Sequence, residues 1–199
     1  MASKYNYYVL YLLVVLLINL AWMAPPFLAS SGNQAAAGVL YKGLSNFCHQ
    51  LPQRSLCVID APDGSRSIGD CIVNWSGTTK IDRYTYADAR GTGREFGVDA
   101  RDNAIYLMML IGGLIYPFVR RIGNDRTPPL WLFVLAILPL AIDGTTQLVG
   151  LRESTNLLRL ATGTLAGIAV PFYAIPLMYY FIPVMKEAIA GKKAVAGKK

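Results

Sequence analysis

One cysteine, one histidine and a set of carboxylates and arginines recur in this sequence in short polar clusters between apolar runs. Cys48 and His49 stand beside Gln50, Arg54 and Ser55. Asp99, Arg101 and Asp102 come next, then Asp143 and Gln147, then Glu153, Asn156 and Arg159. A thiolate, an imidazole and a carboxylate suit zinc, which accepts sulfur, nitrogen and oxygen donors in a tetrahedral shell. Cys48, His49 and Asp99 are the candidate ligands. An open fourth position would activate water, with Asp102, Asp143 or Glu153 as candidate general base. Arg54, Arg101 and Arg159 are candidate anion contacts, able to hold a phosphate or carboxylate bidentately. Adjacent residues such as Cys48 and His49 point to different sides of a regular helix or strand, so both reach one ion only from an irregular turn. The competing reading is structural: His49, Arg101, Asp143 and Arg159 form a buried network of ion pairs and hydrogen bonds that holds helices in register. Zinc is the one cofactor the pattern suggests, and the pattern does not require it.

Four apolar runs must position these residues: Tyr7–Leu28, Ile105–Val119, Leu130–Val149 and Leu157–Met185. Three reach the ~20 residues that cross a bilayer core. The second lengthens if its helix starts near Asp99, since Asp99 and Asp102 favour a helix N-terminus. The expectation is an all-α membrane protein, a bundle of four transmembrane helices with an extended extracytoplasmic loop between the first two. Every polar cluster then falls at the outer ends of helices, where ionisable groups are costly and by default suggest a functional site.

Charge sets the orientation. Lys4, the turn Arg120–Arg126 and the tail from Lys186 hold nine basic residues and two acidic ones, which is the whole net charge of +7. Residues 30–104 balance eight basic against eight acidic. Short basic loops stay cytoplasmic, so both termini are expected inside, in the cell membrane. The basic balance is thereby explained without nucleic acid. The expected divisions are residues 1–29 as the first span, 30–104 as an outer cap with an interfacial helix, 105–185 as spans two to four, and 186–199 as a basic cytoplasmic tail. The first run is longer than a signal-peptide apolar region and runs into Trp22 and Pro25-Pro26, which suits a retained helix ending at the interface. The third helix is expected to end at Asp143-Gly144 and the fourth to start around Ser154-Thr155.

Within the cap, Val39, Leu40, Leu44 and Phe47 recur at helical spacing, predicting a short surface helix over 34–47. Residues 57–97 are rich in Gly, Asp, Ser, Thr and Tyr and read as an ordered loop or small β-rich cap. Cys57 and Cys71 flank the turn-forming Asp60–Ser65 and could pair as a hairpin, leaving Cys48 as the odd thiol; three reduced, buried cysteines are the alternative. Asn74-Trp75-Ser76 matches a glycosylation acceptor. In the last run, Gly163 and Gly167 are spaced for close helix approach, and Pro171, Pro176 and Pro183 free carbonyls that neighbours must satisfy.

The chain resembles the DUF2085 family of membrane proteins. The resemblance rests on Phe47-Cys48-His49-Gln50-Leu51-Pro52-Gln53-Arg54-Ser55, on Asp99-Ala100-Arg101-Asp102 leading into Ala104-Ile105-Tyr106, on Pro139 with Asp143-Gly144-Thr145-Thr146-Gln147, and on Glu153-Ser154-Thr155-Asn156 with Arg159 and Thr162-Gly163. These pieces cover most of the chain outside 57–97. Two departures stand out: the family usually has Cys-Ala-Arg where this chain has Asp99-Ala100-Arg101, and the segment from Ser55 to Asp99 is far longer than usual. A metal site built on that Cys in relatives is altered here. No established activity comes with the resemblance.

Two functions fit. Four helices, a basic tail and a departed metal motif suit an accessory subunit of a larger membrane assembly, energy-transducing or transporting, with Gly112-Gly113, the small-residue face and the loop from Trp75 to Tyr86 as contact surfaces. Lipid and membrane-protein partners, or further copies of the chain, would surround it. The alternative is a metal-assisted hydrolase or transferase acting on a lipid or cell-surface substrate at the outer leaflet. Redox chemistry at Cys57 and Cys71 is weaker, for want of a Cys-x-x-Cys spacing, and a channel weaker still.

Overall fold

A computed structural model describes residues 5–48 and 50–196; for Trp75 and residues 190–196 it describes the backbone alone. The helices are α1 (Asn6–Ser30), α2 (Gln34–Leu44), α3 (Ala100–Val119), α4 (Leu130–Leu148) and α5 (Asn156–Ala196). Four of them, α1, α3, α4 and α5 as far as Ile189, are long and apolar enough to cross a membrane. Their outer surfaces carry large apolar side chains such as Leu13, Leu17, Phe118, Trp131 and Leu138, a covering that suits lipid and not water.

The helices alternate in direction. Tyr7 meets Tyr179 edge to face at 5.3 Å, and the Lys186 ammonium lies 5.6 Å from the Tyr7 ring, so the start of α1 and the late turns of α5 share one end. Glycine lets the backbones close. A Cβ on Gly167 would stand 2.5 Å from the Ile105 carbonyl oxygen, and one on Gly163 2.7 Å from that of Arg101, so the small-residue face of α5 is spent on α3. Gly112 packs on Ile168 and Pro171, and Gly113 on Tyr11. Pro117 has no N–H to give the Gly113 carbonyl, and the Tyr8 hydroxyl donates to it instead at 3.1 Å.

The expectation of an all-α chain is corrected at the other end. Residues 56–95 form an antiparallel sheet of five strands, β1 (Leu56–Asp60), β2 (Arg66–Asp70), β3 (Thr79–Lys80), β4 (Thr85–Asp88) and β5 (Gly91–Glu95), in the order β2-β1-β5-β4-β3. The strands are two to five residues long, too short to impose a readable alternation, and turn chemistry makes them pair. Gly64 at φ 84° turns β1 into β2, and Gly91 at φ 130° starts β5 hard against Asp60 and Ala61, where a Cβ has no room. Cys57 and Cys71 are joined as a disulfide, and Cys48 is a free, buried thiol.

Other boundaries move as well. α1 runs through Pro25 and Pro26 to Ser30, because the Trp22 carbonyl that Pro26 leaves without a donor is taken by the backbone N–H of Gly97 at 2.9 Å. α4 continues past Asp143-Gly144 to Leu148, and α5 starts at Asn156 and stays helical to Ala196, through the segment expected as a tail. α2 stops at Leu44 and buries Ala37 and Tyr41 in place of the expected stripe; Val39 is exposed, and Phe47 is 84% exposed beyond the helix.

The cap docks on α1 and α2. Trp22 meets Phe96 edge to face at 5.5 Å, the Tyr41 hydroxyl donates to the Glu95 carbonyl, and Tyr41 stacks on Tyr84 at 4.0 Å. Tyr86 is buried in the cap core. Gly112-Gly113 are packed within the chain, as are Tyr84 and Tyr86 of the loop from Trp75 to Tyr86, while Ser76, Gly77 and residues 79–83 of that loop are exposed.

Candidate functional site

The N-terminus of α3 organises the cap end of the bundle. The Asp99 carboxylate accepts from the Asp102 backbone N–H at 3.3 Å, capping the helix one turn below the loop from β5. On one side of this turn lies Cys48, whose backbone N–H still bonds to Leu44 at the end of α2. A ligand atom from each of Cys48, Asp99 and Asp102 lies within 4.8 Å of the others. Metal–ligand bonds of 2.0–2.3 Å set donors about 3 to 4 Å apart, so these side chains would draw together slightly to share one ion.

The backbone here is irregular, as a Cys-His pair on one ion would require. Residues 45–47 form a turn, Cys48 is neither helix nor strand, and Gln50 has φ 50°, a left-handed conformation costly for a side-chain-bearing residue. Two hydrogen bonds hold it there: Gln50 Nε2 donates to the Tyr41 carbonyl at 3.2 Å and to the Gly97 carbonyl at 2.7 Å. Gln50 thus pins the cysteine segment to α2 and to the approach to Asp99 at once. His49 lies outside the described residues. Cys48 is 8% exposed, and burial together with the nearby Asp99 and Asp102 carboxylates pushes its thiol up to about 11.

A second cluster lies across the same turn. Asp143, near the end of α4, has a side chain only 2% exposed and accepts from Arg101 at 2.5 Å, Arg152 at 2.6 Å and the Ser154 hydroxyl at 2.9 Å. Arg159, 2% exposed, donates from Nη1 to Asn156 at 3.1 Å, and Asn156 in turn donates to Asp70 of β2 at 2.9 Å. Arg54, Arg101, Asp99 and Asp143 all lie within electrostatic reach of Arg159. Between α3, α4 and the turn after α2 opens a cleft of about 380 Å³ lined by Arg54, Arg101, Gly144, Gln147 and Leu148.

The sequence candidates therefore divide. Cys48 and Asp99 meet as expected neighbours, and Asp102 joins them on the donor side. Asp143 sits apart, bound by two arginines and a serine. Glu153 is exposed in the turn between α4 and α5. Arg54 and Arg101 share the cleft, while Arg159 backs it. The clamp by Gln50 was not legible from spacing, since both of its acceptors come from other parts of the chain. Glu95 was missed too: it is 0% exposed, with the Tyr86 hydroxyl beside its carboxylate, and burial pushes it up to about 8.

Comparison with known proteins places this site in context. The family model for DUF2085, described as a predicted membrane protein, matches residues 90–173, which span α3, α4 and the first part of α5. An uncharacterised protein of Methanocaldococcus jannaschii is 32% identical over 182 residues, 89% of this chain and 96% of its own length. One from Methanothermobacter thermautotrophicus is 40% identical over 78 residues, 39% of this chain and 68% of its own. No solved structure matches.

Proposed function

The chain belongs to the DUF2085 family of predicted membrane proteins, and from that premise we propose that it is a membrane-embedded enzyme, a metal-assisted hydrolase or transferase acting on a lipid or cell-surface substrate at the outer leaflet of the cell membrane. The observation that carries this reading is the convergence of Cys48, Asp99 and Asp102 within 4.8 Å beside a cationic cleft.

One cysteine sulfur, whose proton a bound ion would displace, and two carboxylates, with His49 next in the chain, form a donor set that suits zinc. A bound ion would supply Lewis-acid chemistry and a water of lowered pKa. The chain's own residues do the rest. Asp99 caps α3 and so holds the donors at a helix start, Gln50 fixes the cysteine segment, and Cys48 is buried while Asp99 and Asp102 stay partly open to an incoming ion or water. Arg101, between the two aspartates in sequence, presents its guanidinium to the cleft. Both termini are cytoplasmic in this reading, which puts cap and cleft at the outer face.

Elemental analysis of protein purified in mild detergent without chelator tests it, with Cys48→Ala, Asp102→Asn and His49→Ala alongside. About one equivalent of zinc in the parent, lost in Cys48→Ala, supports the assignment; a metal-free parent overturns it.

A second reading, an accessory subunit of a larger membrane complex, draws on α4. Only 6% of its most apolar stretch is fully buried, and Trp131, Leu132, Val134, Leu135 and Leu138 form an outward face free to meet another protein as well as lipid. Native mass spectrometry after gentle extraction separates the two: a stoichiometric partner supports the subunit, a lone monomer removes it.

A further inference from the structure

Around the cleft beside the proposed metal site, the guanidiniums of Arg54, Arg101, Arg152 and Arg159 outnumber the carboxylates of Asp99, Asp102 and Asp143 by one. Arg54 makes no ion pair among the described residues, and Arg101 and Arg152 share the single carboxylate of Asp143. Arg159 adds a further guanidinium behind the cleft, bonded to a neutral amide. Hydrogen-bond donors are in surplus as well. Arg101 spends one terminal nitrogen on Asp143, but its Nε is buried without a partner, and so is Nε2 of Gln147 on the facing wall. Buried donors left unpaired are costly, and like charges gathered at low dielectric raise that cost.

A ligand that relieves both carries negative charge and enough acceptor oxygens to meet Arg54, Arg101 Nε and Gln147 Nε2 together. A lone carboxylate brings one charge and two oxygens, which Arg101 alone could saturate. A phosphate brings up to two charges and three terminal oxygens, and it matches the planar fork of arginine. Gly144 lines the wall beside Arg101 Nη1, 3.4 Å from where a Cβ would stand.

We propose that this cleft binds a phosphate group, held by Arg54 and Arg101 with Gln147 as neutral donor and with Asp143 positioning Arg101. The proposal rests on the outer face being a site of chemistry and names its substrate class, a phosphomonoester or diphosphate. The group belongs either to a lipid headgroup or to a soluble phosphate, and the same chemistry recognises both.

The test is calorimetric titration of the full chain in neutral detergent, treated with chelator so that no metal contributes. Inorganic phosphate, pyrophosphate, acetate and dioctanoyl phosphatidic acid are the probes. Pyrophosphate and phosphate should bind at least tenfold tighter than acetate, and Arg54→Gln should weaken both at least tenfold. Arg54 is half-buried at the rim without an ion pair, so its replacement leaves the fold intact. Gln147→Leu, which removes one neutral donor, should weaken binding about fivefold. Tighter binding of phosphatidic acid than of phosphate assigns the site to a headgroup, and equal binding to a soluble phosphate; both sustain the proposal. Acetate binding as tightly as phosphate, or affinity unchanged in both variants, overturns it. Zinc content is measured on the same variants before chelation, so loss of phosphate binding with metal retained keeps this test separate from that of the metal site.

Discussion

Arg101 donates to Asp143 at 2.5 Å, joining the first turn of α3 to the last turns of α4 through a carboxylate that solvent hardly reaches. The same carboxylate takes Arg152 from the turn that follows α4, so a single acid closes the cap end of three elements. Breaking a buried pair by removing one partner leaves an uncompensated charge. Asp143→Asn should therefore lower stability by about 3–5 kcal/mol. Arg152→Gln, whose side chain is 40% exposed, should cost no more than about 1 kcal/mol. Thermal unfolding in detergent with both variants checks the contrast, and equal losses would refute it.

Gly97 joins the cap to the bundle. Its N–H completes the Trp22 carbonyl that Pro26 abandons, and a Cβ at this position would crowd Leu44 and stand 3.2 Å from Trp22 Cα and oxygen. Gly97→Ala should destabilise the chain by about 1–3 kcal/mol through overpacking. Limited proteolysis should show the cap, residues 56–95, becoming more susceptible while the helices stay protected.

Glu95 makes the cap sensitive to pH. Its folded value lies near 8 against an ordinary 4.5, so the folded state binds the proton more tightly than the unfolded one. The stability this contributes is complete below about 4.5 and is lost as pH rises through about 8. The span corresponds to a stabilisation on the order of a few kcal/mol. Hydrogen exchange of the cap amides should accelerate between these limits, and Glu95→Gln should flatten the dependence.

Gly167 sets the distance between α3 and α5. Replacing it with Leu drives the side chain into the Ile105 carbonyl and the Met108 Cβ, both under 3 Å from a Cβ at this position. Since this contact holds the central helix pair, Gly167→Leu should abolish recovery of folded monomer in detergent, while Gly38→Leu, on open surface, should not. Size-exclusion profiles of the two variants decide the matter.

Local chemistry was legible in the sequence and long-range chemistry was not. The start of α3 follows from Asp99 because capping involves residues three apart. The small-residue contact follows from Gly163 and Gly167 because their spacing is helical. The continuation of α1 through Pro25-Pro26 depends on Gly97, some seventy residues away, and no local pattern announces it. A β-rich cap and a hairpin joining Cys57 to Cys71 were legible from composition and turn residues, but the number and order of the strands were not, because the strands are short and the turns borrow φ from Gly64 and Gly91. At the site, residue types pointed to Cys48, His49 and Asp99 as ligands and to Asp102 as a base, but the approach of Cys48 to the two aspartates depends on Gln50, whose two acceptors lie in α2 and in the segment before Asp99. The detachment of Asp143 from that group likewise rests on Arg152 and Ser154, which no spacing singled out.

The most direct measurement is X-ray absorption at the zinc edge of the protein as purified. The account predicts one sulfur scatterer near 2.3 Å with the remaining ligands nitrogen or oxygen near 2.0–2.2 Å, and loss of the sulfur shell in Cys48→Ser. A bound zinc with no sulfur ligand, or with two or more, would contradict a centre built on Cys48, Asp99 and Asp102.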